Sequence, residues 1–455
     1  MSLIMKEPAD NSLIRKYNVP GPRYTGYPTV PYWDTASFSR GGWEGTVRER
    51  FPEGAEEISL YVHLPYCESL CTFCGCNTRI TVNHSVELPY IETVLKEWDL
   101  YRSYMRQKPV ISELHLGGGT PTFFSPDNLK LLISGLLGGA TLAPGAELGF
   151  EGHPANTTKR HLEVLHGLGF RRVSYGIQDF DPGVQHVINR IQSYDDVRRV
   201  TEEARAAGYT SVNYDIVYGL PLQTAATIAD TIEKVSRLRP DRIAFYSYAH
   251  VPWVKPGQRR FTEMDLPDDE SKRALYELGR SMLEAAGYRE IGMDHFALES
   301  DALFRAEQEG TLHRNFMGYT TRHTERLIGL GVSAISDLWS AYAQNAKSVE
   351  EYRQIVEQGL LPVFRGHMLD SEDLRYRRHI LDIMCRRETR WDDRQALAEV
   401  IGRLKEPESD GLIRIGDYDL KVNEEGKPFL RNICMAFDAR MHAEARKEVQ
   451  FSKVI

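Results

Sequence analysis

Short apolar runs alternate with longer amphipathic ones from residue 58 to residue 248, and this rhythm narrows the folds open to the chain more than any other feature. The β-rich runs are Ile58–His63, Ile111–Gly117, Glu147–Glu151, Arg172–Ile177, Ser211–Tyr218 and Arg242–Tyr248. Helical stretches lie between them at 86–106, 126–137, 158–168, 193–207 and 224–238. Several runs, such as Ile243-Ala244-Phe245-Tyr246, are almost continuously apolar, which suits strands covered on both faces. Parallel neighbours need a crossover, and a helix supplies it, so the alternation reads as parallel βα units. The expected fold class is therefore α/β, with six units in a partial or open (β/α)6 barrel. A helix at 268–286 and a strand at 288–294 would extend it.

The flanks read differently. Residues 1–50 are rich in Pro, Gly and Tyr, which prevents regular structure. Their aromatic residues set them apart from a disordered tail, so an irregular arm lying over a domain surface is expected. Residues 324–338 are small and apolar, and the chain is mainly helical from 348 onward. Arg-rich amphipathic stretches occupy 371–388 and 435–448, and 411–425 suggests a hairpin. The expected division is an arm over the active site (1–50), a barrel with its extension (51–360) and a mainly helical C-terminal domain (361–455).

The 455 residues are 42% hydrophobic and 26% charged, ordinary for a soluble globular protein. No apolar run reaches membrane-spanning length and no h-region opens the chain, so a cytoplasmic, monomeric protein is expected. The net charge of -8, from 56 basic and 64 acidic residues, argues against nucleic acid as a partner. An anionic ligand would need a local cluster of Arg, Lys or His. Four of the six cysteines fall within residues 67–76. In a reducing compartment such crowding points to a metal or to catalysis, not to disulfides.

Cys67, Cys71 and Cys74 stand in a C-x3-C-x2-C spacing after the first strand, with Cys76 close behind. Three thiolates can hold three corners of a four-iron cluster and leave one iron open to a reacting ligand. A zinc site completed by His63 or His84 is the alternative on spacing alone. Phe73, between the second and third cysteines, could shield a cluster. Leu116-Gly117-Gly118-Gly119-Thr120-Pro121 follows the second strand, where glycines let backbone approach a ligand. Glu151 ends the third strand, Gln178 follows the fourth, and Asp215 lies late on the fifth. Carboxyl ends of parallel strands are where such folds gather reactive groups. Arg190 offers a planar fork of donors suited to a carboxylate.

The cysteine loop resembles the motif of the radical S-adenosylmethionine (SAM) family. That resemblance implies one [4Fe-4S] cluster held by Cys67, Cys71 and Cys74, whose unique iron chelates SAM. An electron from the cluster would then split SAM into methionine and a 5′-deoxyadenosyl radical. Further stretches are similar to the oxygen-independent coproporphyrinogen III oxidase family within that superfamily. They include Pro22-Arg23-Tyr24-Thr25, Gly176-Ile177-Gln178-Asp179-Phe180, Tyr218-Gly219-Leu220-Pro221, Ile291-Gly292-Met293-Asp294-His295, Leu312-His313-Arg314-Asn315-Phe316 and Arg431-Asn432-Ile433-Cys434-Met435.

This second resemblance implies two SAM molecules. Tyr61, Gly118, Glu151 and Ile335 match contacts to the cluster-bound one, with Tyr61 beside the three cysteines in the catalytic set. Phe73, Gly119, Thr120, Gln178, Arg190, Asp215 and Ala249 match contacts to the second. One departure is His153, which stands where better-known members carry Asp before the proline. The implied reaction turns two propionates of coproporphyrinogen III into vinyl groups, giving protoporphyrinogen IX. It requires a low-potential electron donor and a terminal electron acceptor. A haem-related radical SAM methyltransferase and a haem chaperone are the alternatives. Arg23, Arg259, Arg260, His313 and Arg314 are candidates for a cationic mouth that receives the propionates, His250 and His295 for proton donors, and Tyr24 for part of a closing arm.

Overall fold

A computed structural model describes residues 11–51, 57–443 and 451–454. Six strands carry the central rhythm: β1 Glu57–Leu64, β2 Val110–Gly118, β3 Thr141–Gly152, β4 Arg172–Gln178, β5 Ser211–Tyr218 and β6 Arg242–Ser247. They are parallel and lie side by side in chain order. Helices α1 Glu87–Tyr104, α2 Pro126–Gly138, α3 Lys159–Gly167, α4 Tyr194–Ala207 and α5 Ala225–Leu238 make the crossovers. The expected (β/α)6 architecture is therefore present.

Local chemistry accounts for these elements. Helix α4 starts at a capping box between Ser193 and Asp196 and stops at Gly208, whose φ of 100° is left-handed. Its buried residues Val197, Val200, Thr201 and Ala204 follow the helical repeat and face the sheet. In β1, Ile58, Leu60, Val62 and Leu64 are all 0% exposed and face the helices. The alternate residues Ser59, Tyr61 and His63 face the concave side, as strand geometry requires. The concave face is therefore polar. One row of partners across four neighbouring strands reads Glu151, Ser174, Asn213, Arg242.

The sheet continues beyond the six strands at both edges. Strands β7 Tyr288–Ile291 and β8 His295–Leu298 form an antiparallel pair against β6, preceded by helix α6 Asp269–Ala285. On the other edge β9 Leu327–Leu330 lies parallel to β1. The antiparallel strands β10 Ile335–Asp337, β11 Ala341–Asn345 and β12 Val363–Met368 follow it. The order across all twelve strands is β12-β11-β10-β9-β1-β2-β3-β4-β5-β6-β8-β7. The sheet thus runs to Met368, past the boundary expected at 360. Helix α7 Val349–Glu357 packs against α1, and buried Glu97 ties it down. Its carboxylate accepts hydrogen bonds from the Gly331 N–H, the Asn345 amide and the Tyr352 hydroxyl.

The C-terminal unit has its own core, built on α8 Ser371–Arg386 and α9 Ala398–Ser409. The hairpin expected at 411–425 is present as Ile413–Ile415 paired with Asp419–Val422, and Glu388–Arg390 adds a third strand. The arm behaves otherwise than expected. Ile14, Tyr17, Tyr24 and Tyr27 are buried in this second core, whereas Trp43 and Val47 of the helix Arg40–Arg50 belong to the main one. Buried Arg431 clamps arm to tail, donating to the carbonyls of Gly21, Pro22 and Val454. Part of the 435–448 stretch and the start of the 1–50 arm lie outside the described residues. Among the described residues no helix is long and apolar enough to cross a membrane.

Candidate active site

The carboxyl ends of the six parallel strands surround a cavity of about 570 Å³, a size typical of small-ligand sites. All four clustered cysteines line it. So do Phe73, Gly118, Gly119, Thr120, Glu151, Gln178, Arg190 and Asp215. Residues far apart in the chain therefore converge on one surface, because each strand delivers its last inward side chain there.

Backbone hydrogen bonds shape the cysteine loop. The Gly119 and Thr120 N–H groups donate to the carbonyls of Leu64 and Tyr66, which binds the glycine turn to the segment entering the loop. A Cβ at Gly119 would stand 2.6 Å from the Pro65 carbonyl, so this close approach requires glycine. The far side of the loop is tied to the segment after β4. Thr72 donates to Ile188 and Val187 carbonyls, and the Asn189 amide donates to Leu70 O. Arg190 completes the link. Its guanidinium donates to Gly176 O at 2.6 Å and sits 3.7 Å from Cys71 Sγ. Gln178 holds a left-handed φ of 66° at a bulge in β4. A non-glycine residue in that region costs free energy, and such positions cluster at functional sites.

The thiols are unequal. Burial pushes Cys67 up to about 11, and the neighbouring Cys74 and Cys71 add to the shift against Thr120 and Arg190. Cys74 is held below the usual thiol value, chiefly by the neighbouring Cys76. The Cys76 N–H also approaches Cys74 Sγ at 3.4 Å, so Cys76 supports Cys74 from outside the trio. The histidines that could have completed a zinc site are committed elsewhere. His63 contacts Asn77 O at 2.8 Å and the Tyr61 hydroxyl at 3.1 Å, and His84 faces Glu87 and Glu68. Among the described residues no three His, Cys, Asp or Glu side chains converge on a single ion.

Two carboxylates with different environments line the same cavity. Glu151 accepts from the Gly118 N–H at 3.1 Å and lies 3.4 Å from His115 Nε2. Burial acts to raise its pKa, but His115 and the Gly118 N–H together hold it below the ordinary range. Asp215 accepts from Asn213 at 2.8 Å and Ser174 at 3.1 Å. Burial, then the charge of Glu151, pushes it up to about 6. Asp215 therefore favours its proton in the fold, and stability falls as pH rises from about 4 to about 6 through this group. Asp215→Asn is expected to flatten that slope and raise the melting temperature at pH 8, read by thermal melts across the range. An unchanged slope would show that Asp215 does not titrate in this way.

Three expected site residues do not line this cavity. Tyr61 stands behind it, stacked on His115 at 6.2 Å between ring centroids. Ile335 opens β10, and Ala249 lies two residues past β6. His115, Ser174 and Asn213 are not among the expected residues, although their sequence offers a signal. Each lies two residues from a glycine or acid already singled out, on the same face of its strand. His153 lines the cavity, and burial, followed by the nearby Arg190 charge, pushes its imidazole down to about 3.

The expected cationic mouth does not form as one cluster. Arg259 and Arg260 sit on the exposed turn Pro256–Arg260 and line neither this cavity nor the larger one beside it. His313 is buried, which drives its pKa well below the usual value, with His323 and Arg377 adding to the shift. Arg314 is also buried, its guanidinium 4.4 Å from the Tyr319 ring centroid and 3.9 Å from Asp294. His250 contacts the Tyr248 hydroxyl, and His295 Nδ1 lies 2.6 Å from Asp294 Oδ1 while its ring lines the cavity.

The donor set fits an iron–sulfur cluster with a cationic nucleotide. Three thiols line one cavity, and their mutual repulsion as thiolates is relieved by metal. Carboxylates and an unpartnered His115 Nδ1 occupy the polar remainder.

Comparison with known proteins agrees. Residues 61–235 match the family model of the Radical SAM superfamily. The chain is 37% identical to oxygen-independent coproporphyrinogen III oxidases of Pseudomonas aeruginosa and Escherichia coli, covering 98% of each and 98% of itself. It also resembles the solved structure of coproporphyrinogen III oxidase from Escherichia coli, described as a radical SAM enzyme. That match has a TM-score of 0.88 and 35% identity, and it covers 94% of this chain and 98% of the other. The chain belongs to the oxygen-independent coproporphyrinogen III oxidase family of the radical SAM superfamily.

Proposed function

We propose that this protein oxidatively decarboxylates two propionates of coproporphyrinogen III without oxygen, giving protoporphyrinogen IX. The observation that carries this reading is the set of three thiols lining a polar, strand-end cavity, in a chain aligned over 98% of its length with oxidases named for that substrate. Cys67, Cys71 and Cys74 would hold the cluster. Together with SAM, the bound cluster supplies a carbon radical able to take hydrogen from an unactivated carbon.

The chain's own residues do the rest. Tyr61, Gly118, Glu151 and Ile335 are assigned to the cluster-bound nucleotide, where ionised Glu151 suits an ammonium or sulfonium charge. Phe73, Gly119, Thr120, Gln178, Arg190, Asp215 and Ala249 are assigned to a second nucleotide. Arg190 fixes the cysteine loop against β4 and leaves donors for a carboxylate. Phe73 covers the loop and helps keep water away from the reacting carbons. At each propionate, one β-hydrogen leaves with its electron, the Cα–carboxylate bond breaks to release CO2, and a second electron passes to an external acceptor. A low-potential donor restores the reducing electron. The haem methyltransferase and haem chaperone alternatives find no support among the named relatives.

The test is anaerobic incubation of the reconstituted protein with SAM, a low-potential reductant and coproporphyrinogen III, with the porphyrin read by mass. Two successive losses of CO2 with two hydrogens are expected. Methylated tetrapyrrole, or unaltered substrate with tight haem binding, would replace this reading with one of its rivals.

A further inference from the structure

A second cavity, of about 860 Å³, opens between the arm, helix α6 and residues 424–431. It backs onto the first, since Asp294 lines this one and its neighbour His295 lines the other. Most charges around it are already matched. Glu277 pairs with Arg273 and Arg280, Glu307 with Arg387, and Glu424 with Lys427.

Arg23 and Arg431 are different. Arg23 Nη2 donates to Ser247 O at 2.7 Å, and Arg431 donates only to backbone carbonyls, among them Pro22 O at 2.8 Å. Behind them Lys272 Nζ donates to Tyr248 O at 2.9 Å, one residue from the acceptor of Arg23. Its alkyl chain is pressed against Gly219, where a Cβ would come within 2.7 Å of it. Among the described residues none of the three cations pairs with a carboxylate. Asp294 shares the cavity but is already held by His295 at 2.6 Å and Arg314 at 3.9 Å.

We propose that Arg23 and Arg431, backed by Lys272, form an anion site that takes a non-reacting carboxylate of an acidic tetrapyrrole and so ties the arm to bound substrate. This rests on the function proposed above. Arg431 is buried and Arg23 and Lys272 are half-buried, and each donates to backbone carbonyls and not to a carboxylate, so an incoming carboxylate relieves their charge. Burial, then Arg23, pushes Lys272 down to about 8 and Arg431 down to about 9. Arg23 belongs to the arm and Lys272 to α6, so one carboxylate would add to the exposed Arg15–Glu270 ion pair that already joins the arm to that helix.

The reconstituted full-length protein is titrated with coproporphyrin III, followed by porphyrin fluorescence, and with its uncharged tetra-amide as control. Arg23→Gln and Lys272→Met are each expected to weaken binding of the acid about tenfold, the scale of one charged hydrogen bond. Binding of the tetra-amide and of SAM stays unchanged, and Lys272→Arg restores affinity for the acid. Equal binding of the acid by wild type and variants overturns the anion site and leaves the proposed function standing. Parallel loss of acid and amide binding also overturns it, as structural damage. Competition by inorganic phosphate at micromolar concentration overturns the tetrapyrrole assignment in favour of a free anion. Wild-type protein that neither binds nor converts the tetrapyrrole overturns the functional reading itself.

Discussion

Cys67→Ser, Cys71→Ser and Cys74→Ser are each expected to lose cluster iron and all turnover, whereas Cys76→Ser keeps the iron. The asymmetry follows from placement. All four thiols line the cavity, but the first three are half-buried on a loop tied to the glycine turn after β2 and to the segment after β4. A serine hydroxyl is a hard, weakly acidic oxygen and replaces a soft thiolate poorly. Cys76 is exposed and serves Cys74 through its thiol and N–H. Its backbone donor survives substitution, and a serine hydroxyl can still donate. Iron and sulfide content per chain, with the electron paramagnetic resonance signal after reduction, checks the series. Iron loss in Cys76→Ser equal to that in the other three would make the site four-coordinate by cysteine and would remove the open corner on which the proposed chemistry depends.

Deleting residues 11–30 is expected to unfold the C-terminal unit rather than merely uncover the active site. Read from its sequence alone, the arm is a lid, but Ile14, Tyr17, Tyr24 and Tyr27 are 6%, 8%, 4% and 1% exposed within the second core. Removing one large buried side chain costs roughly 2–5 kcal/mol. Four such losses, about 8–20 kcal/mol, are as large as the whole stability of an ordinary domain, about 5–15 kcal/mol. Arg431 would also lose the Gly21 and Pro22 carbonyls and, still buried, keep only those of Lys453 and Val454. Limited proteolysis should then cut within 371–443 in the truncated chain and spare that segment in the full one. Equal resistance in both would show that the arm is a separable lid. Tyr24→Phe, which removes only the hydroxyl donated to Asp438, is expected to cost about 1 kcal/mol and to leave the unit folded.

Several elements are legible in the amino-acid sequence itself, and the reason is local. Ser211–Tyr218 has the bounds expected of it, and α4 and α5 begin within one residue of theirs. Capping residues, left-handed stops and apolar spacing act over a few residues, so each can be read where it stands. The cysteine spacing is equally local, as is the placing of Glu151 and Gln178 at strand ends. The departures are all non-local. Residues 324–338 look merely small and apolar, yet β9 completes the sheet beside β1, far earlier in the chain. Val363–Met368 reads as part of a helical domain, but it pairs with β11 because that edge needs covering. Arg314 and His313 look like surface charges in a polar run, and only packing reveals them buried beside Tyr319 and His323.

From its sequence alone this protein declares parallel βα units, a three-thiol loop after the first strand and functional side chains at the carboxyl ends of the next four. Periodicity, spacing and turn chemistry decide those matters, and all of them operate between near neighbours. Tertiary structure alone decided that the N-terminal arm belongs to the C-terminal core and that His115, Ser174 and Asn213 carry the two acids. It also decided that Arg23, Lys272 and Arg431 meet without a carboxylate among them. These facts depend on which distant surfaces bury one another, and no local pattern in the chain encodes that choice.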